Sequence, residues 1–146
     1  MKTWKKIFLT LIIVCIIAGI YGMYLYDKKP ADIRIEKVNF DLTASDLLTS
    51  FNKDEAAANS KYNDKVISVK GKIASIAIDS TSASIILEGG NPNATVTCSF
   101  YDEEINTVKG LIKNTEVTIK GKCTGIMKNE LLEESDVILN KCSIQK

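Results

Sequence analysis

The 146-residue sequence predicts a mainly β fold with flanking helices: five strands closed into a barrel after an N-terminal helix, with one transmembrane helix ahead of them. Three observations predict it. An uncharged run of 20 residues, Ile7 to Tyr26, lies near the start. From Lys65 the apolar residues recur at period two instead of the helical 3.6. Two strand-like segments carry a glycine at the same place in nearly the same five residues, Val69-Lys-Gly-Lys-Ile73 and Ile119-Lys-Gly-Lys-Cys123.

The segments divide the chain into a basic tail (1–6), the apolar helix (7–26), a polar stalk (27–40) and a domain (41–146). At about 1.5 Å per residue the apolar run matches a hydrocarbon layer roughly 30 Å thick. Trp4 and Tyr21, Tyr24 and Tyr26 flank it, where rings with a polar edge favour the headgroups. A cleaved signal would have a shorter apolar stretch and small residues at the cut. A lipidated Cys15 would follow a small residue, whereas Val14 precedes it. The reading is a single-pass membrane protein with its domain outside the cytoplasm.

Asp27-Lys-Lys-Pro30 ends that helix. Thr43 reads as an N-cap with Asp46 three residues on, opening a helix with Leu47, Leu48 and Phe51 on one face and a break near Asn52. Ile67, Val69, Gly71 and Ile73 alternate with polar residues as a first strand, and the parity then slips to Ile76 and Ile78, which a bulge at Ala74-Ser75 would produce. Asp79 to Ser82 is a turn, Ala83 to Glu88 a second strand and Gly89 to Asn93 a loop. Val96, Cys98 and Phe100 mark the third strand, Asp102 to Leu111 a short helix, Glu116 to Gly125 the fourth strand and Asp136 to Ile144 the fifth. That order, with strand glycines where strands must bend, fits the barrel of the oligonucleotide/oligosaccharide-binding type, the OB-fold.

Leu42-Thr-Ala-Ser-Asp-Leu-Leu48, Glu55-Ala-Ala-Ala58, Val69-Lys-Gly71, Val117 to Gly125 and Asp136-Val-Ile-Leu-Asn-Lys-Cys142 together resemble the bacterial tRNA_anti-like family. The resemblance covers residues 41–146 and implies small OB-fold barrels, often behind a signal or membrane anchor. It implies a fold and not an activity.

The chemistry is sparse. There is no His, which removes the commonest general base and metal ligand. The pairs Glu103-Glu104 and Glu133-Glu134, with Asp136, read as a solvated face, and the cysteines lack metal-ligand spacing. No catalytic residues, metal or cofactor are expected. Lys70, Lys72, Lys120 and Lys122 share the wet face of neighbouring strands and read either as a solubilising face or as an anion-facing patch. A hairpin centred between Leu132 and Glu133 would set Cys123 opposite Cys142, either as a disulfide or as buried thiols. Residues 39–146 carry 12 Lys, no Arg and 15 Asp or Glu, a net charge of −3, which disfavours nucleic acid. The expected function is a non-enzymatic binding or assembly module of the cell envelope, held by its helix and meeting a protein, peptide or glycan, with no small-molecule substrate. The rival readings are a nucleic-acid-binding barrel facing the cytoplasm and an accessory subunit of a membrane complex.

Overall fold

The computed structural model describes residues 12–23, 32–129, 131 and 133–145. Two compact units divide the chain, residues 1–32 and 33–146. In the first, α1 covers residues 12–23, apolar and exposed along its length. Among the described residues no helix is long and apolar enough to cross a membrane, so the transmembrane helix expected over 7–26 is corrected. The ends of that expected span, 7–11 and 24–26, lie outside the described residues, as do the tail 1–6 and most of the expected stalk ahead of Asp32.

The second unit runs β1 (Phe40–Thr43), α2 (Ala44–Lys53), α3 (Glu55–Tyr62), β2 (Val66–Ile78), β3 (Ala83–Asn91), β4 (Ala94–Phe100), a 3₁₀ turn (Asp102–Glu104), α4 (Ile105–Lys109), β5 (Glu116–Asn129) and β6 (Glu134–Gln145). Thr43 caps α2: its Oγ1 accepts the Asp46 amide at 3.1 Å. Asp54 ends α2 and caps α3, accepting from the Ala57 amide at 3.0 Å, two residues beyond the expected break. Leu47, Leu48 and Phe51 recur on the core face of α2 and are fully buried against the barrel interior, each contributing roughly 1.5–3 kcal/mol.

Five strands close the barrel, β2 pairing β3 through its second half and β5 through its first. β3 pairs β4 antiparallel, β4 pairs β6 parallel, and β6 returns antiparallel to β5. The bulge expected at Ala74-Ser75 is present as a register shift between Ile73 and Ser75, which lets one strand serve both pairings. A sixth strand was not expected. β1 lies parallel to β2, Phe40 against Ile67 through Thr43 against Lys70, and the Phe40 ring meets Tyr62 of α3 edge-on at 5.2 Å. Four residues with two half-buried positions give too short a pattern to read as a strand.

The last two strands run closer to their turn than the expected ends at Gly125 and Asp136, because β5 and β6 pair as far as Asn129 against Glu134. The repeated glycines are places of close approach. A Cβ on Gly121 would lie 2.6 Å from Cys142 Sγ, and one on Gly71 3.1 Å from the Ala44 Cβ.

Residues 33–39 form a strap against the barrel. Ile33 is 1% exposed, Asn39 exchanges hydrogen bonds with Val66, and Lys120 Nζ donates to the carbonyls of Arg34, at 3.2 Å, and Glu36. These residues belong to the domain and not to a free stalk.

Candidate ligand-binding face

Strand alternation turns one face of β3, β4 and β6 outward, and the pairing lines its residues up in rows. Ile86, Thr97 and Ile138 form one row, continued to Ser75 on β2 and to Gly125 on β5. Glu88, Thr95, Asp136 and Met127 form the next. Ser84 and Ser99 pair in a third, one step further along β3 and β4. The Thr95 hydroxyl donates to Asp136 at 3.0 Å, which fixes the middle of its row. Hydroxyls, aliphatic side chains and the two carboxylates of Glu88 and Asp136 make up these rows, with no lysine or aromatic ring among them.

Two concavities adjoin these rows, one at Ser99 and the other at Glu88. One, about 450 Å³, is lined by Ser99, Phe100, Tyr101, Asp102, Glu103, Asn140 and Lys141. It opens where β6 bulges: the register shifts between Cys98 and Phe100 on β4, and Lys141 takes the left-handed conformation with φ of 55°. The bulge brings a polar pair, Asn140 and Lys141, into one concavity with Tyr101, where Asn140 Nδ2 also donates to Thr124 Oγ1 at 3.0 Å. The other, about 340 Å³, is formed by Lys70, Lys72 and Glu116 with Glu88, Gly90 and the first residues of α2. Lys70 pairs with Glu116 at 3.1 Å, so an incoming anion competes with a carboxylate there.

The four lysines singled out in the sequence therefore part company. Lys70 and Lys72 share a concavity; Lys122 pairs with Asp64 at 3.0 Å; Lys120 is 7% exposed and holds the strap. Alternation placed Lys120 on the wet face correctly, but the strap covers that face. Tyr101, Asn140 and Lys141 escaped the sequence reading as site residues. The available signals were the parity of Tyr101, opposite to buried Phe100, and the polar pair interrupting an apolar strand.

The cysteine register differs from expectation. Cys123 faces Leu139, because β5 and β6 pair in a register two residues tighter than expected, Asn129 against Glu134, and β5 carries an extra residue between Cys123 and Gly125; Cys142 pairs with Phe100 of β4. Cys98, Cys123 and Cys142 are buried free thiols. Burial pushes the Cys142 thiol well above its ordinary value, with neighbouring Cys98 adding to the shift. Burial also raises Cys123, against a lowering hydrogen bond from the Gly125 backbone.

The family profile of tRNA_anti-like proteins matches residues 1–143, and the chain belongs to that family. A search of curated proteins finds no match. Among solved structures, the chain is similar to one described as a "putative nucleic acid-binding lipoprotein" from Klebsiella pneumoniae, with 19% identity, a TM-score of 0.59, and coverage of 81% of this chain and 100% of that one. Weaker likenesses include the aspartyl-tRNA synthetase of Entamoeba histolytica (10% identity, TM-score 0.45, 75% of this chain and 25% of that). Another is the asparaginyl-tRNA synthetase of Pyrococcus horikoshii (12%, 0.39, 59% and 21%). The chain thus spans a quarter or less of either synthetase.

These findings correct the expectation that disfavours nucleic acid. The barrel shares its fold with a protein named for binding it. Net charge, on which that expectation rested, sums over the surface and is blind to Lys70 and Lys72 meeting in one concavity.

Proposed function

We propose that the domain is a non-catalytic binding module of the cell envelope that holds single-stranded nucleic acid across β3, β4 and β6. The observation that carries this reading is the set of in-register outward rows adjoined by two concavities, lysines in one and a tyrosine with an amide in the other. OB-fold barrels take extended oligomers on the corresponding strands. Lys70 and Lys72 supply charge for phosphates, Tyr101 a ring for a base, and Asn140 an amide for a base edge. The hydroxyls of Thr97 and Ser99 lie between. The name of the Klebsiella structure supports both the ligand and the envelope location. Absence of His from the sequence favours binding over turnover.

Anisotropy of labelled single-stranded 12-mers of DNA and RNA at low and moderate salt tests the reading. We expect saturable, salt-sensitive, micromolar binding, weakened about tenfold by Tyr101→Ala, since one stacked base is worth about 1–3 kcal/mol. Lys72→Ala should reduce the salt slope by about 0.7, one phosphate's share. Absence of saturation at about 100 μM protein in low salt overturns the reading, because ordinary non-specific binders lie at roughly 10⁻⁴–10⁻⁶ M.

A further inference from the structure

We infer that residues 33–39 are a working part of the ligand pocket, a strap through which the chain ahead of the barrel positions Tyr101, with Arg34 as the positioning residue. The inference rests on the binding reading above. The Arg34 guanidinium lies 5.2 Å over the Tyr101 ring, and its Nη1 pairs with Glu103 at 2.6 Å. The Ile33 amide donates to the Tyr101 hydroxyl at 3.5 Å.

Tyr101 and Glu103 both line the 450 Å³ concavity, so Arg34 holds two of its lining side chains at once. The strap in turn is set by the barrel. Ile33 is buried, and Lys120 binds the carbonyls on either side of Ile35, leaving the Ile35 side chain 85% exposed.

Stacking a base on a mobile ring costs side-chain order, and a ring already held by Arg34 avoids that cost. Arginine suits the role because its planar cation covers a ring face while its fork holds a carboxylate. By linkage, whatever the pocket binds must also tighten the strap.

Two measurements on the full chain test this. Nitration of Tyr101 by tetranitromethane, read by mass spectrometry without ligand, should be faster in Arg34→Ala than in wild type at unchanged melting temperature, with Arg34→Lys between them. Amide exchange of residues 33–39 should slow when a single-stranded DNA 12-mer is added, and Arg34→Ala should weaken its binding about two- to tenfold. Equal nitration in the three proteins overturns the inference whether or not the 12-mer binds. If wild type binds the 12-mer but the strap exchanges at the same rate with and without it, the linkage is overturned and the binding reading stands. If wild type does not bind it, the binding reading fails, and the inference fails with it.

Discussion

Replacing Gly89 by alanine isolates one packing constraint of the barrel. A Cβ built there falls far inside contact distance of Leu48 Cδ1 and the Ala94 carbonyl oxygen, and 3.0 Å from the Ala94 carbonyl carbon. Leu48 is 1% exposed and packed between α2 and the sheet, so its methyl has little room to turn aside. The carbonyl belongs to the backbone of β4, just where Asn91 pairs with Ala94 to close the β3–β4 hairpin. Backbone must therefore move, and the cost lies at the top of the overpacking range, about 3 kcal/mol. For a domain of this size each kcal/mol lowers the melting temperature by roughly 4 °C, which gives a fall of about 12 °C. Gly110→Ala is the matched control. Its Cβ would meet only the Thr107 carbonyl at 3.5 Å, and its φ of −80° suits any residue. The control should gain about 0.4–1 kcal/mol through the unfolded chain. Thermal and urea unfolding followed by circular dichroism compare the two. A Gly89→Ala protein melting within about 3 °C of wild type refutes the reasoning, because the hairpin would then have to be looser than its geometry implies.

Two further outcomes follow from the same structure. Thr43→Ala and Asp54→Ala should each cost about 1 kcal/mol in urea unfolding, since each removes the side-chain acceptor of a helix N-terminus, and their effects should add if the two caps act independently. Folding raises the Cys142 thiol above its ordinary 9.0, so above that pH the unfolded chain has lost the proton that the folded chain keeps. Stability should be indifferent to this group below about pH 8 and should fall as pH rises past 9. Cys142→Ala should show a shallower fall, and an identical slope in the two proteins would refute the assignment.

Much of the local structure was legible because neighbouring residues decide it. The N-cap at Thr43, the apolar face of α2, the period-two strands and the bulge after Ile73 each depend on a few adjacent side chains and the backbone geometry they favour. The barrel followed from their order, and Lys70 with Lys72 could be singled out by alternation. The apolar run near the start was equally conspicuous, but among the described residues no helix is long and apolar enough to cross a membrane.

Contacts between distant segments decided the rest. β1 exists because Phe40 to Thr43 meets β2 27 residues on, a pairing that four residues do not announce. Cys123 misses Cys142 because the β5–β6 hairpin pairs Asn129 with Glu134, two residues tighter than expected, and is irregular on both sides of Lys122, with Lys141 at positive φ, a conformation that its residue type seldom adopts and alternation does not announce. Lys120 is polar by pattern and buried in fact, because a strap 84 and 86 residues away in sequence supplies the carbonyls its ammonium needs. Tyr101 meets Asn140 and Lys141 only because β4 and β6 run parallel around a closed barrel. Sequence by itself determined the elements and their apolar faces, through short-range sterics and periodicity. Tertiary structure alone determined the site, because closure and register bring together residues whose separation along the chain carries no signal.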